Sequence, residues 1–144
     1  MDYVACIQDL QSSSADIEGA MIVSMEGKLL VSSIQAVAPD KEERAARHCA
    51  EAATLALDLV SLTARGSLDQ VYIQAEHGYV IVMPVGTTAL LVVLARAQAK
   101  LGLIFLDMGR AVKGLAGDLD GPFLNEPIFP WRPPKRGHGY AKPS

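Results

Sequence analysis

The length, composition and charge of this chain exclude several classes of protein. At 144 residues, half of them hydrophobic, the chain has the size of one domain and enough apolar side chains for one core. A net charge of −3 provides no basic surface for nucleic acid, and no apolar run approaches the ~20 residues that span a bilayer. The start Met1-Asp2-Tyr3 lacks the basic residues of a secretory signal. We therefore expect a cytoplasmic protein that binds neither nucleic acid nor membrane.

The first predicted elements are a short helix and a β-hairpin. Apolar residues recur at helical spacing from Val4 to Leu10, and the serines that follow predict the end of the helix. Two strands, residues 17–25 and 28–33, flank Gly27, a residue that readily adopts the positive φ of a tight turn. The second of these strands is short, which is typical of the edge of a sheet.

A long helix is predicted over residues 41–64, and its polar and apolar faces are unequal. Asp40 and Glu43 are spaced as a capping box at its start, and Arg65-Gly66 supplies a stop. Apolar side chains, many of them alanine, cover about two thirds of its circumference, which is more than one sheet can bury. One narrow stripe is polar and contains Arg44, Arg47, Glu51, Thr54, Asp58, Ser61 and Arg65.

The excess apolar surface of this helix has two explanations. Alanines let a second helix backbone approach closely, so one apolar face can meet the sheet while another meets the same helix of a partner subunit. Alternatively, the alanines simply favour helix formation and lie partly exposed. We expect the first arrangement, which makes the protein a homodimer.

Three strands and a final helix follow the long helix. Residues 68–76 alternate between apolar and polar, as expected of a strand with one face in water. Residues 79–85 and 89–95 are almost wholly apolar, which indicates central strands covered by helices on both faces. Apolar residues then recur at helical spacing over residues 99–119. Together these patterns predict an α+β fold, a three-layer α/β/α sandwich.

A change of composition at Gly121 divides the chain into a domain, residues 1–120, and a proline-rich tail, residues 121–144. The tail lacks apolar periodicity, so we expect it to be extended or disordered. Within it, Trp131 and Arg132 are residue types that concentrate interface energy, and their proline neighbours favour a polyproline conformation that a partner could read. Short motifs of this kind also arise by chance.

The sequence contains no recognisable catalytic or metal-binding arrangement. The residues around Gly27 lack the second glycine and the hydroxyl residue of a phosphate loop, and no serine lies in a nucleophile elbow. Cys6 and Cys49 fall in different predicted helices without a second thiol at metal-ligand spacing, which indicates reduced structural cysteines. His48, adjacent to Cys49, points about 100° away from it on a helix and cannot readily share a metal. We therefore expect no enzyme activity, no cofactor and no metal.

Five short motifs occur in order along the chain. They are Glu18-Gly19-Ala20, Glu26-Gly27-Lys28-Leu29-Leu30-Val31-Ser32-Ser33, Leu68-Asp69-Gln70-Val71-Tyr72-Ile73, Leu90-Leu91-Val92-Val93-Leu94 and Leu101-Gly102-Leu103. With the order of the predicted elements, they resemble the Roadblock / dynein light chain family and its bacterial MglB-like members, from about Ile7 to Leu119. The resemblance implies a five-stranded antiparallel sheet, with the first and last helices on one face and the long helix on the other. It also implies dimers that join through the long helices and the third strand.

The resemblance implies a function as well as a fold. Members of this family act as non-enzymatic regulators or scaffolds of small Ras-like GTPases, or as subunits of larger assemblies. We therefore predict a homodimeric regulator or scaffold of such a GTPase that can stimulate GTP hydrolysis. The alternative is a structural adaptor that joins larger proteins through its dimer and its proline-rich tail. A third interpretation, a small-molecule sensor, is disfavoured because the apolar interior offers few convergent polar groups.

Two sets of residues are predicted to form these interfaces. The dimer interface is assigned to one side of the long helix and to alternate residues of the third strand: Ala45, Cys49, Ala52, Ala53, Ala56, Val60, Gln70, Tyr72 and Gln74. The partner-binding set combines charged residues of the long helix with two tail residues: Lys41, Arg44, Arg47, Glu51, Trp131 and Arg132. The polar stripe beside an otherwise apolar helix motivates this second set.

Overall fold

The computed structural model describes residues 3–35 and 37–120, except for the side chains of residues 116–120. The predicted proline-rich tail lies outside these residues. The described chain forms three helices and five strands in the predicted order. They are α1 (Tyr3–Ser13), β1 (Ile17–Ser24), β2 (Leu29–Ser32), α2 (Pro39–Leu62), β3 (Val71–Ala75), β4 (Gly78–Val85), β5 (Ala89–Arg96) and α3 (Leu101–Asp120). No helix in the described ranges is long and apolar enough to cross a membrane.

All five strands form one antiparallel sheet in the order β2-β1-β5-β4-β3. β5 is central, because it pairs with β1 on one side and with β4 on the other. Its unbroken apolar sequence fits this position, since a central strand here is covered by helices on both faces. β2 and β3 are short and form the two edges. The predicted five-stranded antiparallel sheet is confirmed.

The two faces of the sheet pack against different helices, because side chains alternate along each strand. On β5, Leu91, Val93 and Ala95 face α1 and α3, whereas Leu90 and Val92 face α2. The helix residues buried on the first face are Cys6, Ile7, Leu10, Ile104, Met108 and Leu115. The predicted three-layer sandwich, with two helices on one face and the long helix on the other, is therefore confirmed.

The start of α2 differs from the prediction. The helix begins at Pro39, with Ala38 as its N-cap and no side-chain hydrogen bond at the cap. Proline suits this first position, because its fixed φ is helical and its missing N–H is not needed there. Asp40 therefore already lies inside the helix, and the predicted capping box is wrong. Glu42 instead accepts a hydrogen bond from the Ser32 hydroxyl, which ties the first turn of α2 to the edge strand β2.

The end of α2 is built on Ala64 rather than on the predicted Arg65-Gly66 stop. Ala64 has a φ of 57°, in the left-handed region. Its N–H donates to the Ser61 carbonyl at 3.1 Å, and the Arg65 N–H donates to the Val60 carbonyl at 2.8 Å. This pair of hydrogen bonds is a Schellman motif, which satisfies carbonyls left free at the helix end. The motif normally contains glycine, since a Cβ is strained in this conformation.

Candidate functional site on the long helix

The side of α2 that faces the sheet is built mainly from small residues. Its buried members recur at spacings of three and four: Ala46, Cys49, Ala50, Ala53 and Leu57. Because most of these side chains are short, the helix packs closely on the sheet. Burial raises the pKa of the Cys49 thiol to about 11, so this group stays protonated near neutral pH. Both cysteines of the chain are free and buried, in agreement with the prediction of reduced structural cysteines.

The opposite side of α2 exposes large apolar residues. Leu55, Leu59 and Leu62 are 69%, 61% and 77% exposed. Their spacings of four and three residues place them one above another on the helix surface. We call these three residues the outer leucine row. Contiguous large apolar side chains in contact with water are typical of interaction surfaces, so this row is a candidate interface.

The edge strand β3 adds apolar surface on the same face of the sheet as α2. Val71 packs into the core beneath α2, and Ile73, two residues on, points to the same face and is 51% exposed. Tyr72 points to the other face, where its ring centroid lies 5.7 Å from that of Phe105 and 6.4 Å from that of Tyr79. Among the described strands β3 pairs only with β4, so its outer edge is open to another strand.

The structure divides the helix residues predicted for the dimer interface. Cys49 and Ala53 are buried against the chain's own sheet, which leaves their side chains little surface for a partner subunit. The rotation of the helix turns both residues toward the sheet, together with Ala46 and Ala50. The remaining helix residues of the predicted set keep accessible surface beside the outer leucine row: Ala45, Ala52, Ala56 and Val60.

The strand residues predicted for the same interface lie on the opposite face from α2. Gln70 is half-buried just before β3, and Tyr72 and Gln74 are exposed within it. Their side chains alternate with Val71 and Ile73, so they point toward α3. A partner strand can pair with the backbone edge of β3, but the side chains that would then lie near α2 are those of Val71 and Ile73.

Sequence reasoning missed the residues that the structure exposes, which are the outer leucine row and Ile73. The signal was present in the width of the apolar arc on α2, which exceeds what one sheet can cover. The sequence analysis instead assigned the subunit interface mainly to the alanines of this helix. In the structure Ala46, Ala50 and Ala53 pack on the sheet, whereas the outer leucine row points away from it.

The polar stripe of α2 lies next to the outer leucine row and is accessible. Lys41, Arg44, Arg47 and Glu51 are all exposed. None of the ion pairs among the described residues includes Arg44 or Arg47. Glu51 Oε1 lies 2.9 Å from Nδ1 of His48, a contact between exposed groups that contributes little to stability. The two guanidinium groups are therefore available to carboxylates of a partner.

The β1–β2 hairpin supports this stripe. Gly27 has a φ of 93°, and a Cβ built there would lie 3.0 Å from the Cα of Arg47. The predicted tight turn is confirmed, and it presses against the α2 backbone in a way that glycine permits. This contact places the exposed Glu26 and Lys28 beside the polar stripe.

The chemistry of the site is that of a protein-binding surface. Leucines supply apolar area that a partner can cover, and arginines supply planar donors that pair with carboxylates. Within the described residues, no group of His, Cys, Asp and Glu side chains could hold a metal ion. Trp131 and Arg132, also predicted to bind a partner, lie outside the described residues.

The fold and the exposed helix define a three-layer α/β/α domain with an apolar surface open to a partner. The chain belongs to the Roadblock/LC7 family, whose domain matches residues 4–95. Members of this family are generally regulatory or adaptor proteins rather than enzymes. No curated protein has a significantly similar sequence.

Several solved structures share the fold. A Roadblock/LC7 domain from Streptomyces avermitilis is 19% identical with a TM-score of 0.73, and the match covers 83% of this chain and 99% of that one. Myxococcus xanthus MglB is 19% identical with a TM-score of 0.72, over 83% of this chain and 98% of that one. The gliding protein MglB from Thermus thermophilus is 23% identical with a TM-score of 0.68, over 78% of this chain and 84% of that one. At these identities the likeness shows the fold.

Proposed function

We propose that the chain forms a homodimer through α2 and β3 and that this dimer regulates or scaffolds a small Ras-like GTPase. The outer leucine row supports the dimer. Burying one leucine contributes about 1.5–3 kcal/mol, and a twofold axis would bury the row of both subunits at once. The open edge of β3 and the exposed Ile73 extend the same surface. One solved MglB has a tetrameric arrangement, so association occurs in a protein of this fold.

The observation that carries the GTPase proposal is the accessible polar stripe beside the outer leucine row. If the leucines are covered by the second subunit, the stripe remains at the border of the dimer. Arg44 and Arg47 then face outward without ion-pair partners among the described residues. Pairing of the two helices would bring two such stripes onto one continuous surface. A surface of this kind suits a folded partner that presents carboxylates.

The dimer acts on the GTPase by binding one conformation of it. The GTPase holds its own nucleotide, magnesium and attacking water, so the regulator needs to supply no nucleophile. A dimer that binds the hydrolysis-competent switch conformation ten times more tightly shifts the equilibrium toward it by about 1.4 kcal/mol. Stimulated GTP hydrolysis follows from that shift. A dimer that binds both conformations equally acts as a scaffold.

The first experiment identifies the partner. The purified protein is immobilised and exposed to host lysate with either a non-hydrolysable GTP analogue or GDP, and the retained proteins are identified by mass spectrometry. Retention of a small GTPase in the GTP-like state alone supports the proposal. If only other proteins are retained, and they are lost when residues 121–144 are removed, the adaptor function is favoured instead.

A paired substitution then tests the assigned surface. We expect Arg44→Ala/Arg47→Ala to weaken binding of the captured GTPase at least about tenfold, which corresponds to ~1.4 kcal/mol, while the dimer mass stays unchanged. Lys100→Ala/Lys113→Ala is the matched control, because it removes two exposed cations from the other side of the molecule. If the arginine variant and the wild type bind the GTPase with equal affinity, the polar stripe is not the binding surface.

A further inference from the structure

A second uncovered surface lies on the α1–α3 face of the molecule. An open cleft of about 210 Å³ is present there. The buried Cys6 and Leu10 of α1 and Ala111 of α3 line it with apolar atoms. Four polar side chains also line it: Asp9, Ser13, Asp107 and Arg110. Asp107 and Arg110 form an ion pair at 3.1 Å, so Asp9 carries the remaining charge of the cleft. The cleft is therefore amphipathic, with its apolar atoms at the contact between α1 and α3.

The outer side of α3 continues this apolar surface. Leu103 and Leu106 are 59% and 54% exposed. Leu103 precedes Asp107 by four residues, so it lies one turn from the cleft on the same side of the helix. A Cβ built on Gly102 or Gly109 would meet no heavy atom within 4 Å, so these glycines leave a shallow gap beside the leucines. No described residue fills this gap.

The chain itself supplies an apolar segment that is long enough to cover the surface. Two of its three phenylalanines, Phe123 and Phe129, and its single tryptophan, Trp131, lie beyond the described residues. Large aromatic side chains of this kind usually find apolar surroundings. Prolines at 122, 127 and 130 favour an extended backbone that loses little further entropy on docking.

The geometry of α3 makes the return path feasible. From Leu103 to Asp120 the helix rises by about 26 Å, at ~1.5 Å per residue. Residues 121–131 span up to about 36 Å when extended, at ~3.3 Å per residue. Gly121-Pro122, directly after the helix, supplies turn-forming residues where the chain would have to reverse. Trp131 therefore reaches Leu103 if the segment runs back along the helix.

We propose that residues 123–131 dock along α3 of the same chain and cover Leu103, Leu106 and the gap at Gly109. This surface lies on the face of the sheet opposite α2, so it is independent of the proposed GTPase-binding surface.

The single tryptophan makes the proposal directly measurable in the full-length protein. We expect Trp131 emission at a shorter wavelength than in the urea-unfolded chain, and several-fold slower quenching by acrylamide. Leu103→Ser/Leu106→Ser should abolish both effects. Gly109→Glu should do the same, because its side chain would occupy the gap. Since glutamate favours helix more than glycine does, loss of protection in this variant cannot result from a weakened helix.

A control and a second variant complete the test. Leu30→Ser removes another exposed leucine, on β2, and should leave Trp131 emission unchanged. Leu59→Glu, which disrupts the proposed dimer surface, should also retain the protection, because the segment docks within its own chain. The proposal is overturned if Trp131 is fully accessible in the wild type or if the Leu103→Ser/Leu106→Ser protein keeps the protection. Protection that disappears in Leu59→Glu or on dilution would also overturn it, since the segment would then dock on another subunit.

Discussion

The two faces of the sheet are covered by helices of opposite design. α3 turns large residues inward, and Ile104, Met108 and Leu115 are fully buried. α2 turns mainly alanines toward the sheet and exposes the outer leucine row on its other side. A helix that only covers a sheet gains most free energy by burying its largest apolar side chains. The reversed arrangement of α2 leaves its outward side as an apolar surface that the described fold does not use, and it is this surface that we propose joins the dimer.

The largest effect expected from this comparison is the loss of the dimer on substitution of Leu59 by glutamate. Within the proposed dimer this change places an unpaired carboxylate among apolar side chains, which costs about 3–5 kcal/mol. We expect the dissociation constant to rise at least about a hundredfold, the equivalent of ~2.7 kcal/mol. Analytical ultracentrifugation over a concentration series measures this change.

Leu103→Glu is the matched control for that experiment. Leu103 is an exposed leucine at 59%, close to the 61% of Leu59, but it lies on α3. Its substitution should leave the mass of the dimer unchanged. If both variants dissociate, or if neither does, the proposal that α2 rather than α3 forms the dimer contact is contradicted.

A smaller effect distinguishes the inward faces of the two helices. Met108→Ala removes a fully buried large side chain beneath α3, and such changes cost about 2–5 kcal/mol of unfolding free energy. Cys49→Ala removes one sulfur beneath α2 and should cost much less. Urea unfolding monitored by circular dichroism measures both values. Equal losses would contradict the idea that the large inward residues of α3 dominate the stability of the sandwich.

Those features of the fold that depend on local sequence were predictable. The turn at Gly27 follows from the glycine itself, because its positive φ is costly for other residues. The central position of β5 follows from an unbroken apolar run that needs covering on both faces. The rotation of α2 about its axis was not predictable in the same way. Both of its apolar sides satisfy helical spacing, and the choice between them is made by packing against distant strands.

The ends of α2 show a second limit of sequence reasoning. Asp40 has the side chain of an N-cap, but Pro39 before it already suits the first helical position, so the helix begins earlier. At the other end, Arg65-Gly66 has the usual composition of a stop, yet the left-handed residue is Ala64. Helix ends depend on backbone hydrogen bonds that several neighbouring registers can satisfy, which makes their positions hard to read from residue types alone.

The buried thiol beneath α2 predicts a still smaller, pH-dependent effect. Burial raises the pKa of Cys49 from 9.0 in the ordinary thiol to about 11 in the folded chain. Above about pH 9 the unfolded chain loses this proton while the folded chain retains it, so the free energy of unfolding falls as pH rises through this window. Cys49→Ala should show a shallower decline in urea titrations at about pH 8 and about pH 10.5. If the unfolding free energy falls equally steeply with pH in both proteins, a group other than Cys49 causes the decline.

The smallest effect concerns the turn that ends α2 directly after the outer leucine row. Ala64 holds a φ of 57° that strains its Cβ, so Ala64→Gly should relieve about 1 kcal/mol of strain, partly offset by the greater freedom of glycine in the unfolded chain. We expect a net gain of roughly 0.5 kcal/mol in unfolding free energy.

Gly66→Ala is the opposing control, because Gly66 has a φ of 95° and open space around it, so only backbone strain opposes the added methyl group. It should destabilise the chain while the dimer mass stays unchanged. A dimer that weakens in either variant would show that the turn takes part in the subunit contact, and the outward side of α2 would then extend beyond Leu62.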